Sequence, residues 1–147
     1  IMSANAGEEL GRISKIASGG ELSRIMLAMK NVFAENDPVS TMIFDEIDTG
    51  VSGIAAQRVG EKLYLASRGK QVMCVTHLPQ IAAMADSHYI IEKSEHEGRT
   101  YTQVKYLDRQ GRKNELARLH GGDNITELTL ASAEEQLEAS ELFKKRS

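Results

Sequence analysis

"SKIASGGELSRIMLAMK", Ser14 to Lys30, sets two glycines side by side between Ser18 and Glu21, directly before a run of strong helix formers. Leu22, Ile25, Met26, Met29 and Phe33 recur at helical spacing, which predicts an amphipathic helix from about Glu21 to Ala34 with those side chains inward and "ENDP" as its stop. Ser18 with Glu21 fits the S-x-x-E capping box, in which the serine oxygen accepts a backbone N–H and the glutamate reaches back. A cap alone does not require glycine at the next two positions, where each costs a helix roughly 0.5–1 kcal/mol against alanine. Bare backbone at a helix N-terminus exposes unpaired N–H groups at the positive end of the dipole, so phosphate recognition stands beside simple capping as a reason for the pair.

Downstream, strands and helices alternate. "VSTMIF" (Val39–Phe44) is a short apolar run behind a turn, and it ends on Asp45, Glu46 and Asp48, as a buried strand carrying carboxylates at its carboxyl end. A helix follows from about Ile54 to Ser67, with Ala55, Val59, Leu63 and Ala66 inward and Gly69 closing it. "QVMCVTH" is a second continuous apolar strand, and "LPQIAAMAD" a short helix with Pro79 in its first turn. "HYIIEK" and "TYTQVKYL", separated by "SEHEGR", read as a hairpin, and the tail carries a short helix near Glu115 to His120 and a longer one from about Ile125 to Lys145. The order predicts an α/β fold, a mostly parallel sheet with flanking helices, plus a β-hairpin and C-terminal helices.

Two adjacent carboxylates at the end of a buried strand are costly unless they hold a cation or work as acid and base, and open α/β sheets collect ligands at that edge. If the pleat continues through them, Asp45 and Glu46 point to opposite sides, one toward a metal and the other toward a water. The alternative is a solvated acidic turn, since Asp and Gly also form turns. His77 ends the neighbouring apolar strand and faces the same edge; His88, His96 and His120 lie without such companions and read as structural.

Composition sets the bounds. A chain of 147 residues with 41% hydrophobic content buries one ordinary core. The net charge of -3, with scattered Lys and Arg, provides no broad basic face for a phosphate backbone. The single cysteine, Cys74 in "VMCV", suits a reduced, buried thiol in a cytoplasmic protein. No apolar stretch approaches the roughly 20 residues of a membrane span, and "IMSANAGEEL" lacks the regions of a signal peptide. The phosphate-wrapping motif G-x-x-x-x-G-K-[ST] is also missing; "SRGKQV" lacks its first glycine and the hydroxyl after the lysine, so the chain does not hold a nucleotide in the P-loop manner by itself.

"SGGELSRIMLAMK", "IFDEIDTGVSG" and "VTHLPQIAAMAD", in this order and spacing, resemble the signature motif, the Walker B motif with D-loop, and the switch histidine of the ATP-binding cassette superfamily. Within it they resemble the RecN family of bacterial DNA repair proteins, related to the SMC proteins, and the likeness runs from "NAGE" at Asn5 through "EKSEHEGRTYTQV" to "ELARLHGG" and "ITELTLASAEEQL".

This resemblance implies that residues 1–147 are the C-terminal lobe of an ABC-type ATPase head, without its N-terminal P-loop lobe and coiled coil. By similarity, Asp45 orients Mg2+ through its water shell, Glu46 acts as general base and His77 contacts the γ-phosphate of ATP. Ser18, Gly19, Gly20 and Glu21 of the signature, and Ser52 of the D-loop, are the nucleotide-contacting candidates, with the serine and glycines acting in trans on ATP held by an opposite head. The departures are Ala17, where transporters commonly have leucine, and Ser52, where the D-loop aspartate is usual. The implied partners are the N-terminal lobe, a second head in an ATP-dependent dimer, and DNA through the intact protein, in the cytoplasm at the nucleoid and with no membrane. Two other classes use the same residues: a metal-dependent phosphohydrolase or Toprim-like nuclease built on the "DEID" carboxylates, and a non-catalytic interaction module.

Overall fold

The computed structural model describes residues 18–33, 38–96 and 98–147. Ala17, the "NAGE" stretch, Ala34 at the expected end of the helix and residues 35–37 of its expected stop lie outside them. The chain divides into two compact units, Ile1–Ile81 and Ala82–Ser147.

In the first unit, helix α1 spans Gly19–Val32, strand β1 Thr41–Phe44, helix α2 Gly53–Ala66 and strand β2 Gln71–Cys74. The two strands pair in parallel, Thr41 opposite Gln71 and Phe44 opposite Cys74. Met42 and Phe44 pack with Leu27, Ile47, Leu63, Ala66 and Ile81, and Val59, Val72, Cys74 and Leu78 complete this core. The opposite sheet face is bare: Ile43 is 71% and Met73 52% exposed, beside the polar Thr41 and Gln71. The continuous apolar runs predicted strands buried on both faces, and among the described residues only one face is covered.

α1 also turns differently from its expected face. Leu22, Met26, Met29 and Phe33 are exposed, and the helix docks instead through Gly20 and Leu27, which are buried, and through the polar side chains of Ser23, Arg24 and Asn31. Asn31 donates to the Leu27 carbonyl at 2.9 Å and to the Lys62 carbonyl of α2 at 3.3 Å. In α2, Ala56, Gly60 and Leu63 face inward, and Ala55 is exposed.

A one-turn helix α3 (Pro79–Ala82) leads into the second unit, where strands β3 (His88–His96) and β4 (Arg99–Leu107) form an antiparallel hairpin. Tyr89, Ile91, Val104 and Tyr106 share one exposed face of it, with the Tyr89 and Tyr106 rings edge to face at 5.5 Å. The described strands thus form two separate two-stranded sheets, the parallel pair β1–β2 and the antiparallel hairpin β3–β4. A single β-α-β crossover supplies only two parallel strands, and a hairpin closed by a short turn must run antiparallel.

Helices α4 (Arg109–Gly121) and α5 (Glu127–Arg146) close around Ala82, Ala83, Leu116, Ala117, Ala133 and Leu137. α4 begins well before the expected Glu115, because Asp108 caps it by accepting from Gly111 N at 2.8 Å. Its polar first turns are held by ion pairs to α5: Arg109 to Glu134 at 2.6 Å and to Glu141, and Lys113 to Glu134 at 3.1 Å. No helix among the described residues is long and apolar enough to cross a membrane.

Candidate functional site

Because β1 and β2 run parallel and side by side, the loops that leave their carboxyl ends start together. Val75 N extends the pairing by donating to Phe44 O at 3.0 Å. Beyond it, Asp45, Glu46, Asp48, Thr49, Val75, Thr76 and His77 line an open cleft of about 240 Å3. The structure therefore brings Asp45, Glu46 and His77 to one sheet edge.

The pleat does not continue through the acids. Glu46 sits in the left-handed region at φ 57°, an uncommon conformation for a residue with a side chain, and Thr49 N closes a turn onto Glu46 O at 3.0 Å. The Asp45 carboxylate accepts from Glu46 N at 2.9 Å, which fixes the first step of that turn. α1 holds the same loop from behind: Ser23 Oγ donates to Asp45 O at 3.1 Å, and Arg24 donates to Ile47 O at 3.1 Å and Thr49 O at 2.7 Å.

The paired glycines gain a structural role here. A Cβ on Gly20 would stand 2.8 Å from Glu46 O and 2.9 Å from both Thr49 Cβ and Thr49 O, so the helix N-terminus can approach this loop only without a side chain. At Gly19 the obstacle is the Glu46 carboxylate, 2.7 Å from the added atom and at the end of a flexible side chain. The capping box is complete: Ser18 Oγ accepts from Glu21 N at 3.3 Å and Glu21 accepts from Ser18 N at 2.7 Å. The Ser18 backbone N–H, with its hydroxyl, holds the Glu21 carboxyl below its ordinary value. Ser18, Gly19, Gly20 and Glu21 do not line the cleft, nor does Ser52, an exposed residue at the start of α2 whose side chain makes no cap.

Asp48 is the buried member of the group, 4% exposed. One of its oxygens accepts from Thr76 Oγ at 2.7 Å and His77 N at 2.9 Å, and lies 2.9 Å from His77 Nδ1. Burial pushes this carboxyl up, but the Thr76 hydroxyl, the His77 N–H and the His77 ring together outweigh it and hold it below the ordinary value. Cys74 is pushed the other way, to about 12, by burial and by the carboxylates of Asp48 and Asp45. Its thiol is accordingly protonated at neutral pH.

The periodicity argument passed over Ser23, Arg24 and Thr76, and took Asp48 only as one of the acidic string. Arg24 carried a signal, as a cation four residues from Gly20 and on the side of the helix opposite the face read as apolar. Among the described residues no three His, Cys, Asp or Glu side chains converge on a metal position.

No protein-family model matches the chain. The DNA repair protein RecN of Bacillus subtilis is 49% identical over 98% of the chain, and those of Treponema pallidum and Vibrio cholerae are 47% and 46% identical over 95%. The chain spans about a quarter of the length of these relatives. A solved structure from a study of ATP-driven dimerization and DNA-stimulated activation of SMC ATPases superposes with a TM-score of 0.53 at 25% identity, covering 81% of this chain and 71% of its own. The fold is thus of the SMC ATPase type, and by sequence the chain is similar to a segment of the RecN proteins about a quarter of their length.

Proposed function

We propose that the chain is the C-terminal lobe of an ATPase head in a RecN-like protein that acts in double-strand break repair and recombination at the nucleoid, and that ATP drives two such heads together. The observation that carries this reading is the half-built cleft. Asp45, Glu46 and His77 meet at the carboxyl edge of a parallel strand pair, while the sequence contains no P-loop to hold the phosphates they would act on. The bare sheet face of Ile43 and Met73 is consistent with further strands and a covering layer in an N-terminal lobe, which would complete a mostly parallel sheet.

Asp45 fits a magnesium ion held in the usual way for phosphate chemistry, by one or two carboxylates, several waters and the phosphates themselves. The ion would neutralise charge developing on the phosphate oxygens. Glu46 takes the proton of the attacking water, and its turn conformation frees it from the sheet ladder. His77, whose side chain is 75% exposed at the cleft, contacts the γ-phosphate. Ser18, Gly19 and Gly20 present the α1 N-terminus to the γ-phosphate bound by the opposite head, and Ser52 stands at the seam between them. The chain alone neither binds ATP tightly nor hydrolyses it, because the P-loop cradle is elsewhere.

The test uses the full-length protein and two variants that fail at different steps. With Glu46→Gln, ATP still binds and the heads stay engaged while hydrolysis falls about 10²- to 10⁴-fold. With Ser18→Arg, each head binds ATP but engagement is lost. Sizing both with and without ATP decides the assignment: dimerisation of Ser18→Arg on ATP, or loss of nucleotide binding in Glu46→Gln, would refute it.

A further inference from the structure

Asp48 is a costly residue to bury, and its three donors all come from Thr76 and His77, in the loop that leaves the carboxyl end of β2. Thr76 donates its hydroxyl to Asp48 and accepts from Leu78 N at 3.1 Å, which locks the loop just after His77. At 2.9 Å from an ionised carboxylate oxygen, His77 Nδ1 must carry the proton, since an unprotonated nitrogen would set two lone pairs against each other. The imidazole then has Nε2 as its free nitrogen, on the far side of the ring from Asp48, and no described residue of the chain engages it. The neutral ring offers a lone pair there, and the protonated ring offers an N–H.

We propose that Asp48 is the positioning residue of this site, fixing the His77 ring with its proton on Nδ1 and presenting Nε2 to the γ-phosphate and its attacking water. The inference rests on the ATPase reading above and adds to it the side chain that sets the tautomer and orientation of the histidine. Asp48 also sits in the Glu46–Thr49 turn segment, so it ties the loop that carries the base to the loop that carries the histidine. Asparagine in place of Asp48 keeps the shape but brings an amide that can donate to Nδ1, so the proton moves to Nε2.

The test uses the full-length protein as parent, with Asp48→Asn, His77→Gln and the double variant, all labelled with 15N in the histidine ring. In the parent, the ring spectrum assigned by difference from His77→Gln shows the proton on Nδ1, and Asp48→Asn moves it to Nε2. In steady-state ATP hydrolysis, each single variant lowers kcat by about 10²-fold with KM nearly unchanged, and the double variant is no slower than His77→Gln alone.

Additive losses, in which Asp48→Asn slows His77→Gln as much as it slows the parent, would overturn the positioning role. So would a parent spectrum with the proton on Nε2, which decides the matter even if Asp48→Asn does not fold. A full-length parent without ATP turnover would overturn the ATPase reading and this inference with it, whereas turnover with additive losses overturns the inference alone.

Discussion

The α4–α5 pair of the second unit and the β1–β2 pair of the first bury their apolar residues in opposite ways. In the helix pair, Leu116, Ala117, Ala133 and Leu137 are sealed, the N-termini are capped by Asp108 and Thr126, and the ion pairs of Arg109 and Lys113 fix the helices along their length. In the strand pair, one face is packed, the other face is bare, and the carboxyl edge opens into a cleft lined by three carboxylates and a histidine. A closed region supplies its own stability. The open one leaves one face and the carboxyl edge exposed.

The strongest test of that contrast is a cavity in the closed region. Leu137 is fully buried among alanines and Leu116, where neighbours cannot collapse far, so Leu137→Ala should cost about 2–5 kcal/mol in urea unfolding. A cost below about 1 kcal/mol would mean that the helix pair is as loosely held as the exposed sheet face.

The next effect separates the site from its scaffold by pH. The Asp48 carboxyl is held below its ordinary value of 3.8, so its contribution to stability is fully present above that value and is lost as the pH falls through the lower folded value. At pH 7, Asp48→Asn should cost about 1–3 kcal/mol, because Thr76 and His77 lose a charged acceptor. The gap between parent and variant should close as the pH drops below 3.8. A gap that stays constant through that range would show that the burial of Asp48 is not offset by these donors.

Much of this was legible in the sequence, and the exceptions share a cause. The capping box, the two β segments with acids and a histidine at their ends, and the hairpin follow from local spacing, because each is decided by residues close together in the chain. The inward face of α1 was misread because Leu22, Met26, Met29 and Phe33 mark apolar surface without saying whether this segment covers it. The helix is oriented instead by long-range contacts of Arg24 and Gly20 to a loop more than 20 residues away, which no periodicity encodes. Asp48 was read as one of a string of acids because its partners, Thr76 and His77, are 28 and 29 positions on.

The glycine pair offers a finer discrimination within the open unit. At Gly20 an added Cβ meets backbone and a branched side chain below 3.0 Å, and none of these can move without shifting the Glu46–Thr49 turn. Gly20→Ala should therefore cost about 1–3 kcal/mol by overpacking. Gly19→Ala meets only the tip of Glu46, which can rotate away, and gains helix propensity of up to about 1 kcal/mol, so it should be neutral or slightly stabilising. Equal costs at the two positions would show that α1 does not approach the loop as closely as this geometry requires.

The smallest effect bears most directly on what the open region lacks. Ile43 projects from the bare face of β1, so Ile43→Thr, which keeps the β-branch suited to a strand, should change the stability of this chain by less than about 0.5 kcal/mol. On the proposed reading, with the chain set in a protein as long as its RecN relatives, a covering layer over that face would bury the new hydroxyl and remove a packed methyl, and the same substitution should cost about 1–3 kcal/mol. Measuring both by urea unfolding makes the difference between the two hosts the signal. If Ile43→Thr remains silent in the longer protein, the bare face is solvent-facing there too, and the asymmetry between the two regions belongs to the folded state itself rather than to a missing neighbour.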